Sequence, residues 1–224
     1  MAEVIRINDN TWRIEDGFVR FYLFTGSTSA MLIDSGATTE NARQIAEELT
    51  DLPLMLINTH ADRDHTAGNT AFEEVYMSPN EADNYGGKTR IIPVKEGDII
   101  DLGGRPLQII DIPGHTNGSI AILDINNRIL VSGDSVQNGD IYMFGEKRNI
   151  DSYISSMKHL MEYEGKFDVV YPMHGSFPEY PDLIPKLIEG AEEIKAGKVE
   201  GTHIDMFGHD VILCKFPYAG FFIQ

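Results

Sequence analysis

The sequence predicts a layered α/β fold. Short apolar strands fall into two sets, one within residues 4–77 and one from residue 99 onwards, and helical segments follow each set. This grouping favours stacked layers of sheet and helix over an all-β barrel. No strand is followed by GxGxxG or GxxxxGK[ST], so neither dinucleotide binding nor P-loop chemistry is indicated.

The first half of the chain has short apolar or aromatic stretches separated by Asn, Asp, Gly and Ser turn signals, which is typical of strands. The predicted strands are 4–7, 12–14, 19–24, 30–33, 52–57 and 75–77. Residues 39–49 have apolar side chains at helical spacing and predict an amphipathic helix. Shorter helices are expected at 66–72 and at 79–85, where Pro79 suits a first helical turn.

The second half repeats this succession. Strands are predicted from residue 99 and at 106–112, 119–124, 129–132 and 168–171. Helices are predicted at 151–163, with Asp151 as a candidate N-cap, and at 183–196, followed by Gly197 in the position where glycine often ends a helix. Residues 211–216 and 219–223 are expected to form a terminal hairpin.

The length and composition suit one soluble domain. A chain of 224 residues without a linker-like tract is expected to form a single domain over residues 1–224. The N-terminus lacks a basic segment with an apolar signal core, and no apolar run approaches the roughly 20 residues that cross a bilayer. The single cysteine, Cys214, excludes an internal disulfide and is expected to be a small core residue. We therefore expect a cytoplasmic protein that does not interact with membranes.

The formal net charge is −17 at pH 7. Nucleic-acid binding requires clustered Lys and Arg, so this charge argues against a nucleic-acid partner. It argues more weakly against a highly anionic substrate. Some of the acidic residues are candidate metal ligands, whose charge a bound ion would cancel.

The stretch 58–69, N-T-H-A-D-R-D-H-T-A-G-N, contains four potential metal ligands: His60, Asp62, Asp64 and His65. They follow the apolar stretch 52–57, which predicts a buried strand. A loop at a strand end can aim several side chains at one point, whereas positions 60, 62 and 64 of a helix would point in different directions. Imidazole suits zinc, iron and similar ions, and carboxylates add negative charge. The alternative is a solvated polar loop that happens to contain two histidines.

Three later residues follow apolar strands and lie beside glycines. They are His115 in P-G-H-T, Asp134 in S-G-D-S and His174 in P-M-H-G-S. Each taken alone would more commonly be structural, because strand-end histidines often bond the backbone and aspartate is a common turn residue. Repetition of the pattern favours a shared metal site. Seven ligands suit two metal ions, with one bridging carboxylate and open positions for water.

On these residues the chain resembles the metallo-β-lactamase superfamily over nearly its whole length. The family has H-x-H-x-D-H, a G-H-T histidine, an aspartate after a strand and a late H-G histidine, and this chain has counterparts in that order. The resemblance implies a four-layer αββα sandwich with two metal ions at one edge, between the sheets. It also implies ligand roles: His60, Asp62 and His115 for the first ion, Asp64, His65 and His174 for the second, and Asp134 bridging.

Asp34 and Asp62 are compared with the family separately. Asp34 matches an early strand-end aspartate of the family, which implies that it supports the ligands rather than binding the metal. Asp62 stands where the family usually has histidine, although flavodiiron proteins also carry a carboxylate there. If all seven residues bind, three aspartates and one hydroxide balance two divalent ions, which favours iron or manganese over zinc. Alternatively, Asp62 turns away and leaves one functional metal ion.

The resemblance implies hydrolysis of a small-molecule ester, thioester or lactone by a hydroxide held on two metal ions. Asp64 is the candidate catalytic residue, because a carboxylate among cationic centres can orient the hydroxide and pass its proton to the leaving group. The P-G-H-T and central motifs resemble those of hydroxyacylglutathione hydrolases and lactonases. The candidates for the substrate pocket are Tyr142, Met143, Phe144, Tyr218 and Phe221. Residues of these types are more often part of the core.

Two functions outside hydrolysis stay open. A carboxylate-rich di-iron site could reduce oxygen or nitric oxide, as the resemblance to flavodiiron proteins suggests, but that chemistry needs an electron donor and the sequence shows no flavin domain. The other alternative is a non-catalytic metal-dependent binding protein. The full set of ligands argues against it, because purely structural metal sites usually close all coordination positions.

Overall fold

The computed structural model describes residues 2–206 and 208–224. The chain divides into two compact units. Unit 1 consists of Met1–Ile110 and Ile122–Asn127, and unit 2 consists of Asp111–Ala121 and Arg128–Gln224. Each unit contains both strands and helices, in agreement with the predicted α/β class.

A seven-stranded sheet with its strands in sequence order forms most of unit 1. Its strands are β1 (Glu3–Asn8), β2 (Thr11–Asp16), β3 (Val19–Thr25), β4 (Ala30–Ile33), β5 (Leu54–Ile57), β6 (Glu74–Met77) and β7 (Arg90–Pro93). Neighbours from β1 to β4 are antiparallel, and neighbours from β4 to β7 are parallel. Every residue of β3 and β4 is buried, as expected of central strands covered on both faces.

The helices of unit 1 are short. They are α1 (Ala42–Glu47) and α2 (Arg63–Thr66), together with 3₁₀ turns at Asn69–Ala71 and Pro79–Glu81. Ala42 and Ala46 of α1 are buried in one core cluster with Leu32 and Leu56 of the sheet, which explains the apolar helical spacing of this segment. An antiparallel pair, β8 (Ile99–Asp101) and β9 (Pro106–Asp111), follows the sheet along the chain.

The helix predicted at 66–72 is wrong. α2 ends at Thr66, and residues 69–71 form a separate 3₁₀ turn. Between them the backbone N–H of Gly68 donates to the Ser35 hydroxyl oxygen, and that hydroxyl donates to Asn69 Oδ1 at 2.7 Å. These side-chain contacts compete with the backbone hydrogen bonds of a continuous helix.

The helix predicted at 79–85 is wrong in length, because only Pro79–Glu81 forms a helical turn. Ser78 begins the turn by accepting a hydrogen bond from the backbone N–H of Asn80. Two glycines, Gly86 and Gly87, follow soon after and disfavour a longer helix.

Unit 2 contains a parallel strand pair, a four-stranded sheet and two long helices. Its elements are β11 (Ile129–Gly133), β12 (Asp140–Met143), α3 (Ile150–Met161), β13 (Val169–Pro172), α4 (Leu183–Lys195), β14 (Thr202–Met206), β15 (His209–Lys215) and β16 (Gly220–Ile223), and β10 (Ile120–Asp124) is divided between the units. β11 and β13 are parallel neighbours. The four-stranded sheet has the order β12–β16–β15–β14.

The long helices and the terminal hairpin of unit 2 are confirmed. β15 and β16 are antiparallel neighbours, and Gly197 follows α4 with a φ of +65°, as predicted for the residue after a helix end. The predicted N-cap is wrong: the side chain of Asn149, rather than that of Asp151, accepts the Ser152 N–H at 2.8 Å.

Three strands, β7, β12 and β14, have no counterpart among the predicted strands. Each lies at the edge of its sheet. Edge strands bury only part of their side chains, and several residues of β7 and β14 are exposed. The hydrophobic signal that reveals a strand in sequence is therefore weak at these positions.

Cys214 lies in β15 and is buried, as predicted. Burial raises the pKa of its thiol, so the group stays protonated and behaves as a small core side chain rather than as a nucleophile. Among the helices of residues 2–206 and 208–224, none combines the length and apolar character needed to cross a bilayer.

Candidate metal centre

In unit 1 the candidate ligands follow the carboxyl end of β5, and Asp34 follows the carboxyl end of its parallel neighbour β4. Ile33 ends β4, Ile57 ends β5, and the two residues are register partners. The backbone N–H of Asp34 donates to the Ile57 carbonyl at 2.8 Å, so the two chain segments leave the sheet side by side. Asp34 is fully buried and has a φ of +62°. This left-handed conformation is costly for a residue with a side chain and persists only where surrounding contacts determine it.

The Asp34 carboxylate supplies those contacts. Its Oδ1 accepts the backbone N–H of Thr59 at 2.8 Å. Its Oδ2 accepts the Thr59 hydroxyl at 2.7 Å and Nδ1 of His65 at 2.8 Å. Hydrogen bonds to a buried carboxylate are roughly twice as strong as neutral ones, so Asp34 fixes the positions of Thr59 and His65.

These hydrogen bonds also determine which ring nitrogen each histidine presents. A carboxylate only accepts, so His65 carries its proton on Nδ1 and, when neutral, has its lone pair on Nε2. The Thr59 hydroxyl gives its proton to Asp34, and its oxygen is therefore left to accept from His60 Nδ1 at 3.1 Å. Asp34 thus orients His65 directly and His60 through Thr59. Both rings present Nε2, the state required of a metal ligand.

The two Nε2 atoms face carboxylate oxygens. His60 Nε2 lies 3.7 Å from Asp62 Oδ2, and His65 Nε2 lies 3.7 Å from Asp64 Oδ2. The two imidazole rings are close neighbours, with centroids 4.0 Å apart. Donors bound about 2 Å from one ion stand about 3–4 Å apart, so each of the two His–Asp pairs has a spacing that suits one metal ion.

The prediction that the whole cluster lies on a loop is wrong for its second half. His60 and Asp62 precede α2, and Asp62 has an extended backbone, but Asp64 and His65 belong to the helix. The backbone N–H of His65 donates to the Asp62 carbonyl at 3.0 Å. One short helical turn after an extended residue separates the directions of successive side chains, so the segment forms two His–Asp pairs.

In unit 2 two candidate ligands follow the carboxyl ends of the parallel strands β11 and β13. Asp134 comes directly after β11, and His174 comes two residues after β13. His174 Nε2 lies 3.3 Å from Asp134 Oδ2. Because parallel strands end at the same edge of a sheet, residues 40 positions apart in sequence become neighbours.

His115 approaches the same carboxylate from the loop before β10. Its Nδ1 donates to the backbone carbonyl of Tyr142 at 3.0 Å, so a neutral ring again has its lone pair on Nε2. That Nε2 lies 3.6 Å from Asp134 Oδ2. One oxygen of Asp134 therefore faces two imidazole nitrogens of unit 2, an arrangement suited to a carboxylate shared between metal ions.

Close packing holds the His115 loop. Gly114 has a φ of +146°, and a Cβ there would lie 2.4 Å from Cα of Tyr153, so only glycine permits this approach of α3. The Tyr153 hydroxyl donates to the carbonyl of Ser135, next to Asp134, at 2.8 Å. Burial raises the pKa of Tyr153 well above its ordinary value, so the hydroxyl keeps the proton that this hydrogen bond needs.

Within each unit the predicted ligands are brought together. Unit 1 pairs His60 with Asp62 and His65 with Asp64, and unit 2 assembles His115, Asp134 and His174. Imidazole and carboxylate donors in this mixture fit zinc, iron or manganese.

Three residues that the sequence analysis named as candidates for the substrate pocket have other places in the structure. Phe221 and Met143 are buried core residues, and Tyr142 acts through its backbone carbonyl on His115. Sequence reasoning did not assign this carbonyl or the Thr59 hydroxyl to the site. For Thr59 the sequence indicates a role only through its position, as a polar residue that follows a strand and precedes His60. A backbone carbonyl leaves no signal in sequence.

Comparison with known proteins places this geometry in a family context. Residues 14–200 match the family model of the metallo-beta-lactamase superfamily. The acyl-coenzyme A thioesterase MBLAC2 of Gallus gallus is 33% identical over 156 residues, which cover 54% of this chain and 56% of that protein. A hydroxyacylglutathione hydrolase of Francisella tularensis is 28% identical over 157 residues, covering 68% of this chain and 61% of the hydrolase. The matches therefore span somewhat more than half the length of these relatives.

Among solved structures, a metallo-beta-lactamase from Pontibacter korlensis resembles this chain with a TM-score of 0.71 and 18% sequence identity. The likeness covers 86% of this chain and 99% of that one. At this level of identity the comparison concerns the fold alone. It confirms the predicted α/β sandwich class.

Proposed function

Because the chain belongs to the metallo-β-lactamase superfamily, we propose that it is a metal-dependent hydrolase of thioesters, with esters and lactones as related substrates. The observation that carries the proposal is the orientation of three histidine rings by hydrogen bonds. Neighbouring hydrogen bonds hold Nδ1 of His60, His65 and His115, and each Nε2 faces a carboxylate. A histidine whose Nδ1 is held by a hydrogen bond while its Nε2 faces the site is typical of metal ligands.

The seven candidate ligands would hold two divalent ions, in the roles that the family resemblance implies. His60, Asp62 and His115 would hold the first ion, Asp64, His65 and His174 would hold the second, and Asp134 would bridge them. The His–Asp distances within each unit support the individual pairs, and the family resemblance supplies the grouping into a first and a second ion. Asp62 in place of histidine favours iron or manganese, although zinc is compatible with the same donors.

When bound, the ions supply Lewis-acid polarisation of an acyl carbonyl and water of lowered pKa. The side chains then have separate tasks. Asp34 keeps the protons of His60 and His65 on Nδ1, so that their Nε2 atoms face the carboxylates of Asp62 and Asp64. Asp64, which is only partly buried, would orient the attacking water, accept a proton from it and pass that proton to the leaving thiolate.

The names of two relatives support thioesters as the first choice among substrates. One is an acyl-coenzyme A thioesterase and the other is a hydroxyacylglutathione hydrolase. Neither is an oxidoreductase, so the di-iron alternative gains no support. Action on a small molecule in the cytoplasm, without nucleic acid, remains part of the proposal.

The proposal is tested by loading metal-free protein with zinc, manganese or iron and screening for hydrolysis. The substrates are acyl-coenzyme A and acylglutathione thioesters, an aryl ester and a lactone, and the control is the same protein kept metal-free. We expect metal-dependent hydrolysis, with a thioester among the best substrates. If the metal-loaded protein hydrolyses none of these substrates, it is not a hydrolase of this class.

A further inference from the structure

Asp62, the one candidate ligand that departs from the family pattern, has a partner of its own in unit 1. The side-chain amide of Asn84 donates through Nδ2 to Asp62 Oδ1 at 3.2 Å. The same nitrogen donates to Glu81 Oε2 at 3.1 Å. An amide group has two N–H donors, so it can satisfy both carboxylates at once.

Glu81 ties this amide to the backbone of the ligand segment. Its side chain is buried with 1% exposure, and Oε2 also accepts the backbone N–H of Ala61 at 2.8 Å. Ala61 lies between the ligands His60 and Asp62, so Glu81 fixes the segment that carries both. The backbone N–H of Asn84 donates to the Glu81 carbonyl at 2.8 Å, which sets the distance between the amide and the carboxylate.

The orientation of the Asn84 amide follows from its neighbours. Rotating it by a half turn would bring its carbonyl oxygen against two carboxylate oxygens, which cannot donate. The amide therefore presents N–H groups to both acids. Asp62 Oδ1 is engaged by Asn84, while Asp62 Oδ2 faces His60 Nε2 at 3.7 Å.

We propose that Asn84, held by Glu81, is a positioning residue that keeps Asp62 as a one-oxygen ligand of the first metal ion. The inference rests on the proposed metal-dependent function and adds to it a reason for aspartate at position 62. Without Asn84, the carboxylate could rotate away or bind through both oxygens. The pair also explains how this chain accommodates a carboxylate where its family usually has an imidazole.

The test measures metal affinity rather than activity. Metal-free wild type, Asn84→Ala and Asn84→Leu are titrated with Zn²⁺ and Mn²⁺ against a competing chelator. We expect one of two ions to bind about 10–100-fold more weakly in both variants, as for lost supporting partners of metal ligands, and the other to be little changed. Asn80→Ala is the matched control, because Asn80 is an exposed residue nearby in sequence. This variant should bind both ions normally.

A double-mutant cycle separates positioning from general support of the fold. In an Asp62→His background the Asn84 amide keeps Glu81 but loses the Asp62 carboxylate, so adding Asn84→Ala should not weaken binding of the first ion further. An equal loss in both backgrounds, or unchanged affinity in Asn84→Ala and Asn84→Leu, would overturn the inference. The unfolding midpoints of the metal-free variants show whether a loss of metal affinity comes from misfolding. Asn84→Leu is included because it preserves side-chain volume. A wild type that binds no ion overturns the proposed function as well.

Discussion

Replacing Asp64 by asparagine is expected to lower the turnover of a metal-loaded thioesterase reaction by about 10²–10⁴-fold, the range for loss of general acid–base catalysis. Asparagine keeps the shape of the side chain and one oxygen for the metal, but it cannot accept and return a proton. Asp64 Oδ2 lies 3.7 Å from His65 Nε2, so the substitution acts beside the second proposed ion.

The measurement is kcat at saturating thioester, together with the metal content of the same sample. Asp51→Asn is the matched control, since Asp51 is exposed in a loop of the same unit and should retain full turnover. Asp64→Asn should keep much of its metal. If it turns over substrate at the wild-type rate, Asp64 has no part in the mechanism.

Replacing Asp34 by asparagine is expected to weaken the binding of both ions by about 10–100-fold each. The Asp34 carboxylate holds His65 directly and His60 through Thr59. An amide N–H₂ at either carboxylate position would face two donors, so the contacts that orient the two rings cannot all be kept. The effect should reach both sites, unlike that of Asn84→Ala.

Chelator competition measures these affinities, and Asp16→Asn separates them from a loss of stability. Asp16 is another buried aspartate of unit 1, which accepts the backbone N–H groups of Ala37, Thr38 and Thr39. Burial opposes the ionisation of Asp16, but hydrogen bonds led by those of Thr38 lower its pKa overall. Asp16→Asn should destabilise the fold without changing metal affinity. Normal binding by Asp34→Asn would show that the tautomers of His60 and His65 do not depend on Asp34.

The strands that carry the site were predictable because burial leaves a strong signal. β4, β5, β11 and β13 are mostly apolar, and each is followed within three residues by a polar residue of the site. The edge strands β12 and β14 were not predictable. β12 pairs in parallel with β16, which lies far along the chain, and such tertiary pairing stabilises a segment whose own pattern is weak.

The ligands were predictable from residue type and position, but their supporting partners were only partly so. Asp34 follows a strand and was recognised by resemblance. Glu81 and Asn84 lie in a polar turn without any pattern that distinguishes them from solvated residues, and only the fold brings them to Asp62. The helical start of α2 was also hidden, because a helix of four residues is too short to show a period in sequence.

The most direct measurement is the number of metal ions bound per chain at equilibrium. Metal-free protein is saturated with Zn²⁺ or Mn²⁺, freed of excess ion and analysed for metal, beside His60→Ala from unit 1 and His174→Ala from unit 2. The proposal predicts about two ions per wild-type chain and a loss in each variant, because it assigns His60 to the first ion and His174 to the second. A wild-type chain that stays empty at every loading, or variants that bind as much metal as the wild type, would contradict it.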